Sequence, residues 1–336
     1  MVASPPQEQK KAGLGRNPKY GFSGYRPKVH VYGRSRPRTP TEGASLTQCV
    51  GCSRIVAGIG LFGDAFMAKQ RISLAGKVVV ITGSTRGIGR AIAERYGQAG
   101  ARVVISSSKP EAVAQALHEM RAQGIVCAGM ACDVADLAQV QALAQMAINT
   151  FGQIDIWVNN AGISGPFGPI LDVPPEEWRR VIEVNVLGTY HGCISVLPHM
   201  IARRSGKIIN VSGGGTKRAQ RFLGAYSTSK AAIVRLTDAF IRDYRDHPYI
   251  SFTILVPGMV PTDMINQIPL VGAGHEAAKG LPRVMRIFGS TTAETADLAM
   301  RAVSHETDGV SGKVYEIMTR RRIFTNLLRA FLRRQL

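Results

Sequence analysis

Tyr226 and Lys230 stand four residues apart, a spacing that puts both side chains on one face of a helix. A phenol with an ordinary pKa of about 10 is a poor base at neutral pH. Bringing it to about 7 takes roughly 4 kcal/mol of preference for the phenolate, at about 1.36 kcal/mol per unit. One ammonium about 4 Å away in a partly dry cleft supplies roughly that much. Such a pair can give or take a proton at a substrate oxygen within hydrogen-bond reach. The same spacing also occurs in ordinary exposed Tyr and Lys. Far upstream, Thr82-Gly83-Ser84-Thr85-Arg86-Gly87-Ile88-Gly89 holds three closely spaced glycines. Gly83 permits a tight turn and Gly87 lets a backbone approach a pyrophosphate. Gly89 lets a helix pack closely on a sheet, and free N–H groups at that helix's start suit phosphates.

These residues need a frame, and the chain supplies one from Lys77 onward. Short apolar runs predict strands over residues 78–81, 102–105, 125–131, 154–158, 207–211 and 250–256, with a last one near 313–317. Between them, helical patterning predicts helices over 91–98, 111–123, 137–151, 178–203 and 226–247. Alternating strands and helices imply a parallel sheet wrapped on both faces, an α/β doubly wound single domain over residues 67–317. The glycine-rich turn then falls between the first strand and the first helix.

The glycine spacing is Gly-x-x-x-Gly-x-Gly. It is followed in order by Asp133-Val134, Asn159-Asn160-Ala161-Gly162, Asn185, Ser212, Tyr226-Ser-Thr-Ser-Lys230 and Pro257-Gly258-Met-Val260-Pro-Thr262. This ordered set, covering about residues 70–317, resembles the short-chain dehydrogenase/reductase family. The resemblance implies a Rossmann fold, a nicotinamide cofactor and hydride transfer between a ketone and a secondary alcohol. Tyr226 is then the general acid/base, Ser212 orients the substrate oxygen, and Lys230 also bonds the nicotinamide ribose. Asn185 holds a water in a relay towards Lys230. Gly83, Ser84, Arg86, Gly87, Ile88 and Gly89 belong to the cofactor cradle. Asp133 and Val134 meet the adenine, and Asn160, Ala161 and Gly162 the adenosine ribose side. Pro257, Gly258, Val260 and Thr262 pass the nicotinamide. Taken alone, Asp133 also reads as a helix N-cap.

An acid at the end of the second strand would bind a ribose 2′-hydroxyl and repel a 2′-phosphate. Here the stretch is Ser106-Ser107-Ser108-Lys109, and Ser107 stands where NAD-preferring relatives carry Asp. With Arg86 in the glycine loop, Ser107, Ser108 and Lys109 favour NADP(H) over NAD(H). Arg86 and Lys109 also read as solvated charges.

The charge is concentrated at the ends of the chain. Of the net +19, residues 1–66 hold 10 basic against 3 acidic side chains, and residues 318–336 hold 6 Arg and no acid. The body is only mildly basic, unlike a nucleic-acid binder, so no nucleic-acid partner is expected. Residues 1–66 read as a basic, disordered extension with neither a signal peptide nor a membrane span. The protein is expected in the cytoplasm. Cys49 and Cys52 could form half a zinc site or a redox pair, or be incidental; the other ligands of a zinc site are missing, and no metal is expected.

Residues 259–288 read as an apolar lid with Met264, Ile265 and Ile268 near its start, suited to an apolar substrate or to a neighbouring subunit in a homo-oligomer. The family often ends its last strand with a Gly pair, whereas this chain has Tyr315-Glu-Ile-Met318 and continues. Residues 318–336 form a basic amphipathic helix, with Ile323, Phe324, Leu327, Leu328, Phe331 and Leu332 on one half. That half is expected to meet lipid, as a peripheral membrane contact, or a partner subunit. Two rival readings of the whole are a cofactor-sensing module and a membrane-associated scaffold; neither needs Ser212, Tyr226 and Lys230 together.

Overall fold

The structure, a computed structural model, describes residues 72–332. The N-terminal extension over 1–66, the pair Cys49 and Cys52, and Arg333 and Arg334 lie outside the described residues. Seven strands form one parallel sheet: β1 (Val78–Ile81), β2 (Arg102–Ser107), β3 (Cys127–Ala131), β4 (Ile156–Asn159), β5 (Gly206–Val211), β6 (Ile250–Val256) and β7 (Val314–Glu316). Their order is β3-β2-β1-β4-β5-β6-β7. The winding reverses between β1 and β4, where Val80 pairs with Trp157 on one side and Val104 on the other. A crevice opens beyond the carboxyl ends of the strands at such a reversal.

The helices are α1 (Gly87–Gln98), α2 (Pro110–Ala122), α3 (Leu137–Phe151), α4 (Pro175–Ile182), α5 (Gly188–Arg203) and α6 (Gly224–Asp243), followed by α7 (Asp263–Asn266), α8 (Gly274–Ala278), α9 (Leu281–Phe288), α10 (Thr292–Ala302) and α11 (Arg320–Leu332). The alternation of a strand sends successive side chains to opposite faces. Val79, Ile81, Val103 and Ile105 pack with α1, α2 and α10 through Ile92, Tyr96, Met120 and Met300. Val80, Val104, Trp157 and Ile208 pack on the other face with α3, α5 and α6 through Leu143, Leu197 and Phe240. Both cores are therefore read from continuous β-branched runs, as for strands buried on two sides.

Some boundaries differ from those the sequence predicts. The helix predicted to begin at Trp178 starts at Pro175, a residue suited to a first helical position, with Glu176 and Glu177 in the first turn. It is interrupted by one wide π turn, Glu183–Leu187, before continuing as α5. The helix predicted to reach His247 ends at Asp243, where Tyr244 leaves helical geometry with φ −108° and ψ 23°. Asp133 is not the N-cap of α3. That position belongs to Asp136, whose carboxylate accepts from the Ala138 and Gln139 backbones.

Candidate active site

The carboxyl ends of β1, β4, β5 and β6 border one cleft with a volume of about 690 Å³. At its phosphate end, Gly83 has φ +61° and Gly87 φ +59°, backbone that side chains rarely adopt. A Cβ on Gly83 would lie 2.8 Å from the Ala161 Cα. The turn is braced from β4: the Thr82 hydroxyl accepts the N–H groups of Asn160 at 3.0 Å and Ala161 at 3.1 Å. The Asn160 amide donates back to the carbonyls of Thr82 and Gly83, both at 2.9 Å. Helix α1 starts with no acidic residue in its first turn and no side-chain cap. Its leading N–H groups and dipole are thus open to an anion. A turn this tight, with no acid in the first turn of the helix it opens, fits the pyrophosphate of a dinucleotide.

At the other end stand Ser212, Tyr226 and Lys230, all lining the cleft. Tyr226 and Lys230 project from the first turns of α6 with the Lys230 Nζ 5.6 Å from the phenol ring centroid. Lys230 is buried and donates to the Val211 carbonyl at 3.1 Å. The Ser212 hydroxyl donates to the Lys230 carbonyl at 3.0 Å, tying the end of β5 to α6. A Cβ on Gly213 would fall on the Tyr226 hydroxyl, so this glycine makes room for the phenol.

Burial pulls Lys230 down to about 8 and pushes Tyr226 up to about 12. An ammonium beside the phenol, helped by the charge of an oxidised nicotinamide, is expected to lower it, and in the chain alone burial works the other way. In both cases the cause is desolvation, which penalises the charged form, phenolate in one and ammonium in the other.

Most residues that the sequence singles out border the cleft: Gly83, Arg86, Gly87, Ile88, Gly89, Ser107, Ser108, Asp133, Val134, Asn160, Ala161, Gly162, Pro257 and Thr262 join the Ser212 group. Ser84, Lys109, Asn185, Gly258 and Val260 do not. Ser84 faces inward, its hydroxyl donating to Ile81 at 2.6 Å and accepting from the Ser106 N–H at 3.1 Å. Lys109 precedes α2 as its N-cap residue. Asn185 is fully buried in the π turn, exchanging hydrogen bonds with the Ile163 backbone at 2.8 and 2.9 Å and donating to Ser229 at 2.9 Å. Ser229 in turn donates to the Tyr226 carbonyl at 2.7 Å. Asn185 therefore fixes the start of α6 against the chain leaving β4. Arg86 reaches the lip of the cleft paired with Asp263 at 2.8 Å. Of the lid's apolar side chains, Met264 lines the cleft, while Ile287 on α9 turns towards α11.

Three contributors escape the sequence reading. Arg180 pairs with Asp133 at 2.7 Å across 47 positions, which no local pattern signals. Ser229 looks like a filler between Tyr226 and Lys230. Thr82, directly before the first glycine and at a strand end, is the one whose place could have flagged it.

A doubly wound sheet with a glycine-rich turn at its reversal, and a half-buried Tyr beside a buried Lys and Ser, is the arrangement of a dinucleotide-dependent enzyme. Comparison with known proteins narrows the class. The profile of the short chain dehydrogenase family matches residues 77–270. Glucose 1-dehydrogenase 2 of Bacillus subtilis is 32% identical over 241 residues, covering 71% of this chain and 92% of its own. Dehydrogenase/reductase SDR family member 4 of Sus scrofa is 34% identical over 219 residues, covering 65% of this chain and 78% of its own. Among solved structures, a gluconate 5-dehydrogenase from Burkholderia cenocepacia, in complex with NADP and tartrate, superposes with a TM-score of 0.66 at 30% identity, over 74% of this chain and 95% of its own. A short chain dehydrogenase/reductase from Burkholderia phymatum, in complex with NAD, does so with 0.67 at 28%, over 77% and 94%. The chain belongs to the short-chain dehydrogenase/reductase family. It is an NAD(P)-dependent oxidoreductase acting on CH–OH groups and the corresponding carbonyls.

Proposed function

We propose that this enzyme interconverts an apolar ketone and its secondary alcohol with NADP(H), using Tyr226 as the general acid/base. The observation that carries the reading is the convergence of Ser212, Tyr226 and Lys230 at one end of the cleft whose other end is the glycine cradle. A bound nicotinamide would supply or take the hydride at the carbonyl carbon, and its positive charge in the oxidised form would favour the phenolate. Tyr226 gives its proton to the substrate oxygen in reduction and takes it back in oxidation. Lys230, still protonated at neutral pH with a pKa of about 8, contributes the ammonium and a donor for the nicotinamide ribose. Ser212 holds the substrate oxygen in line with the phenol. Asn185 acts through Ser229 and the backbone of Ile163, positioning Tyr226 and Lys230 and any water beside them.

The preference for NADP rests on the Ser107-Ser108 edge of the cleft, which carries no acid, and on Arg86 at its lip. The apolar substrate rests on Ile163, Val184, Pro261, Met264 and Pro269 in the wall. Leu187, just before α5, and Tyr190, on its exposed side, support a homo-oligomer, which a solution mass would check. Turnover is tested by following NADPH oxidation against a panel of ketones and 3-oxoacyl thioesters. Tyr226→Phe should keep cofactor affinity while losing all but a few per cent of the rate, since a positioned proton donor gives about 10²–10⁴-fold. A variant that keeps more than that overturns the assigned role. A cofactor-sensing module would bind NADPH and turn over nothing in the panel.

A further inference from the structure

Helix α11 meets the body of the protein with its polar side. Its anchoring contacts are Arg322, paired with Glu294 of α10 at 2.9 Å, Asn326, donating to the Ile287 carbonyl of α9 at 3.0 Å, and the buried Ala330. These fall at i, i+4 and i+8, one stripe of a helix. The apolar half points away. Phe324, Phe331 and Leu332 are 67%, 69% and 71% exposed, and Leu328 is exposed beside them. An apolar patch of this kind, contiguous and aromatic, marks a binding surface.

The charge around it says what binds. Residues 318–336 hold six Arg and no acid. Arg320, Arg321 and Arg329 are exposed, as is Arg286 on the adjoining α9. Arg286, Arg322 and Arg329 border one cavity of about 220 Å³ between the two helices. A second copy docking face to face would set these arginines against one another, because a two-fold interface repeats the same patch on both sides. An anionic bilayer meets them with opposite charge and takes the apolar face into its acyl boundary. We propose that α11 docks this protein on an anionic lipid bilayer. The helix lies in the interface, with Phe324, Leu328, Phe331 and Leu332 towards the acyl chains and its arginines among the phosphates. Because Asn326 holds the end of α9, docking also brings the lid segment to the lipid boundary. The inference stands apart from catalysis, so Tyr226→Phe should bind vesicles as the wild type does.

The test is co-sedimentation of the full chain with vesicles of phosphatidylserine and phosphatidylcholine, beside vesicles of phosphatidylcholine alone. The expected result is binding to the mixed vesicles, little to the neutral ones, and weakening by salt. Phe324→Glu with Phe331→Glu should reduce binding at least about tenfold, and Arg320→Gln or Arg321→Gln about fivefold each. All should leave solution mass and NADPH oxidation unchanged, since these side chains face solvent. The proposal is overturned if the wild type ignores mixed vesicles or binds both kinds equally. It is also overturned if the Phe variants bind vesicles undiminished, or if they lower the oligomeric mass, which would make the face a contact between copies.

Discussion

Lys230 should leave a measurable signature in the pH dependence of folding. In the unfolded chain its ammonium titrates near the ordinary 10.5, and burial brings it to about 8 in the folded protein. Between those values the unfolded state holds a proton that the folded state lacks, so stability rises with pH across that window. The slope approaches about 1.36 kcal/mol per pH unit, and the whole window is worth about 3 kcal/mol. Lys230→Met removes this titration. Below pH 8 the wild type carries the full cost of a buried charge, and above about 10.5 it carries none. Tyr226, pushed up to about 12, is present in both proteins and cancels in the difference. Urea unfolding of the two proteins without cofactor from pH 7 to 10 should therefore show the stability gap moving by about 2–3 kcal/mol in the wild type's favour. A gap flat within about 0.5 kcal/mol, the usual spread of surface effects, would mean that Lys230 titrates as in water. The reasoning about a desolvated catalytic end would then fail.

Ser107→Asp should shift preference from NADP towards NAD, read as the ratio of kcat/KM for the two; a wild type already better with NAD defeats the argument from Arg86 and the missing acid. Gly83→Ala forces a side chain onto φ +61° and onto Ala161. It should cost about 1–3 kcal/mol of stability and weaken NADPH binding in a fluorescence titration, and unchanged binding would show that the turn is not the cradle. Asp155, buried and accepting from the Val78 N–H at 2.8 Å with Lys77 and Arg203 each 3.6 Å away, should cost about 3 kcal/mol when changed to Ala. Turnover per folded molecule should stay constant. A chain started at Met67 should keep its NADPH oxidation, because residues 1–48 offer no periodic apolar face to a core; loss of activity would assign them a part in the fold.

The sheet is legible because burial on both faces demands runs such as Val78-Val-Val-Ile81, which few other environments tolerate. The span of α3 is equally plain, ending at Gly152 with φ +83°, though its cap is Asp136 and not Asp133. What the sequence hides depends on three-dimensional neighbours. The π turn around Asn185, Glu183–Leu187, interrupts an otherwise ordinary helical stretch. Ser84 and Ser107 look alike in the chain, yet one hydroxyl faces the β1–β2 interior and the other residue borders the cleft. The Arg180–Asp133 pair joins distant positions. The amphipathic pattern of α11 is visible, but a wheel does not say what holds the helix to the body; Arg322, Asn326 and Ala330 do.

The bracing between Thr82 and Asn160 has a consequence for how such an enzyme can diversify. The same four hydrogen bonds shape the glycine turn, the proposed phosphate cradle, and stitch β1 to β4 where the winding reverses. A change there strikes ligand recognition and sheet integrity at once, so that end of the cleft has little freedom to drift. The segment from Met259 to Phe288 carries no strand of the sheet, and it touches the cleft through short helices and loops. Beyond Val260 and Thr262, which are assigned to the nicotinamide, its residues belong to neither apolar core. On the proposed reading, new substrates are to be sought by randomising residues 263–288, with the glycine turn, Val260 and Thr262 left as they are.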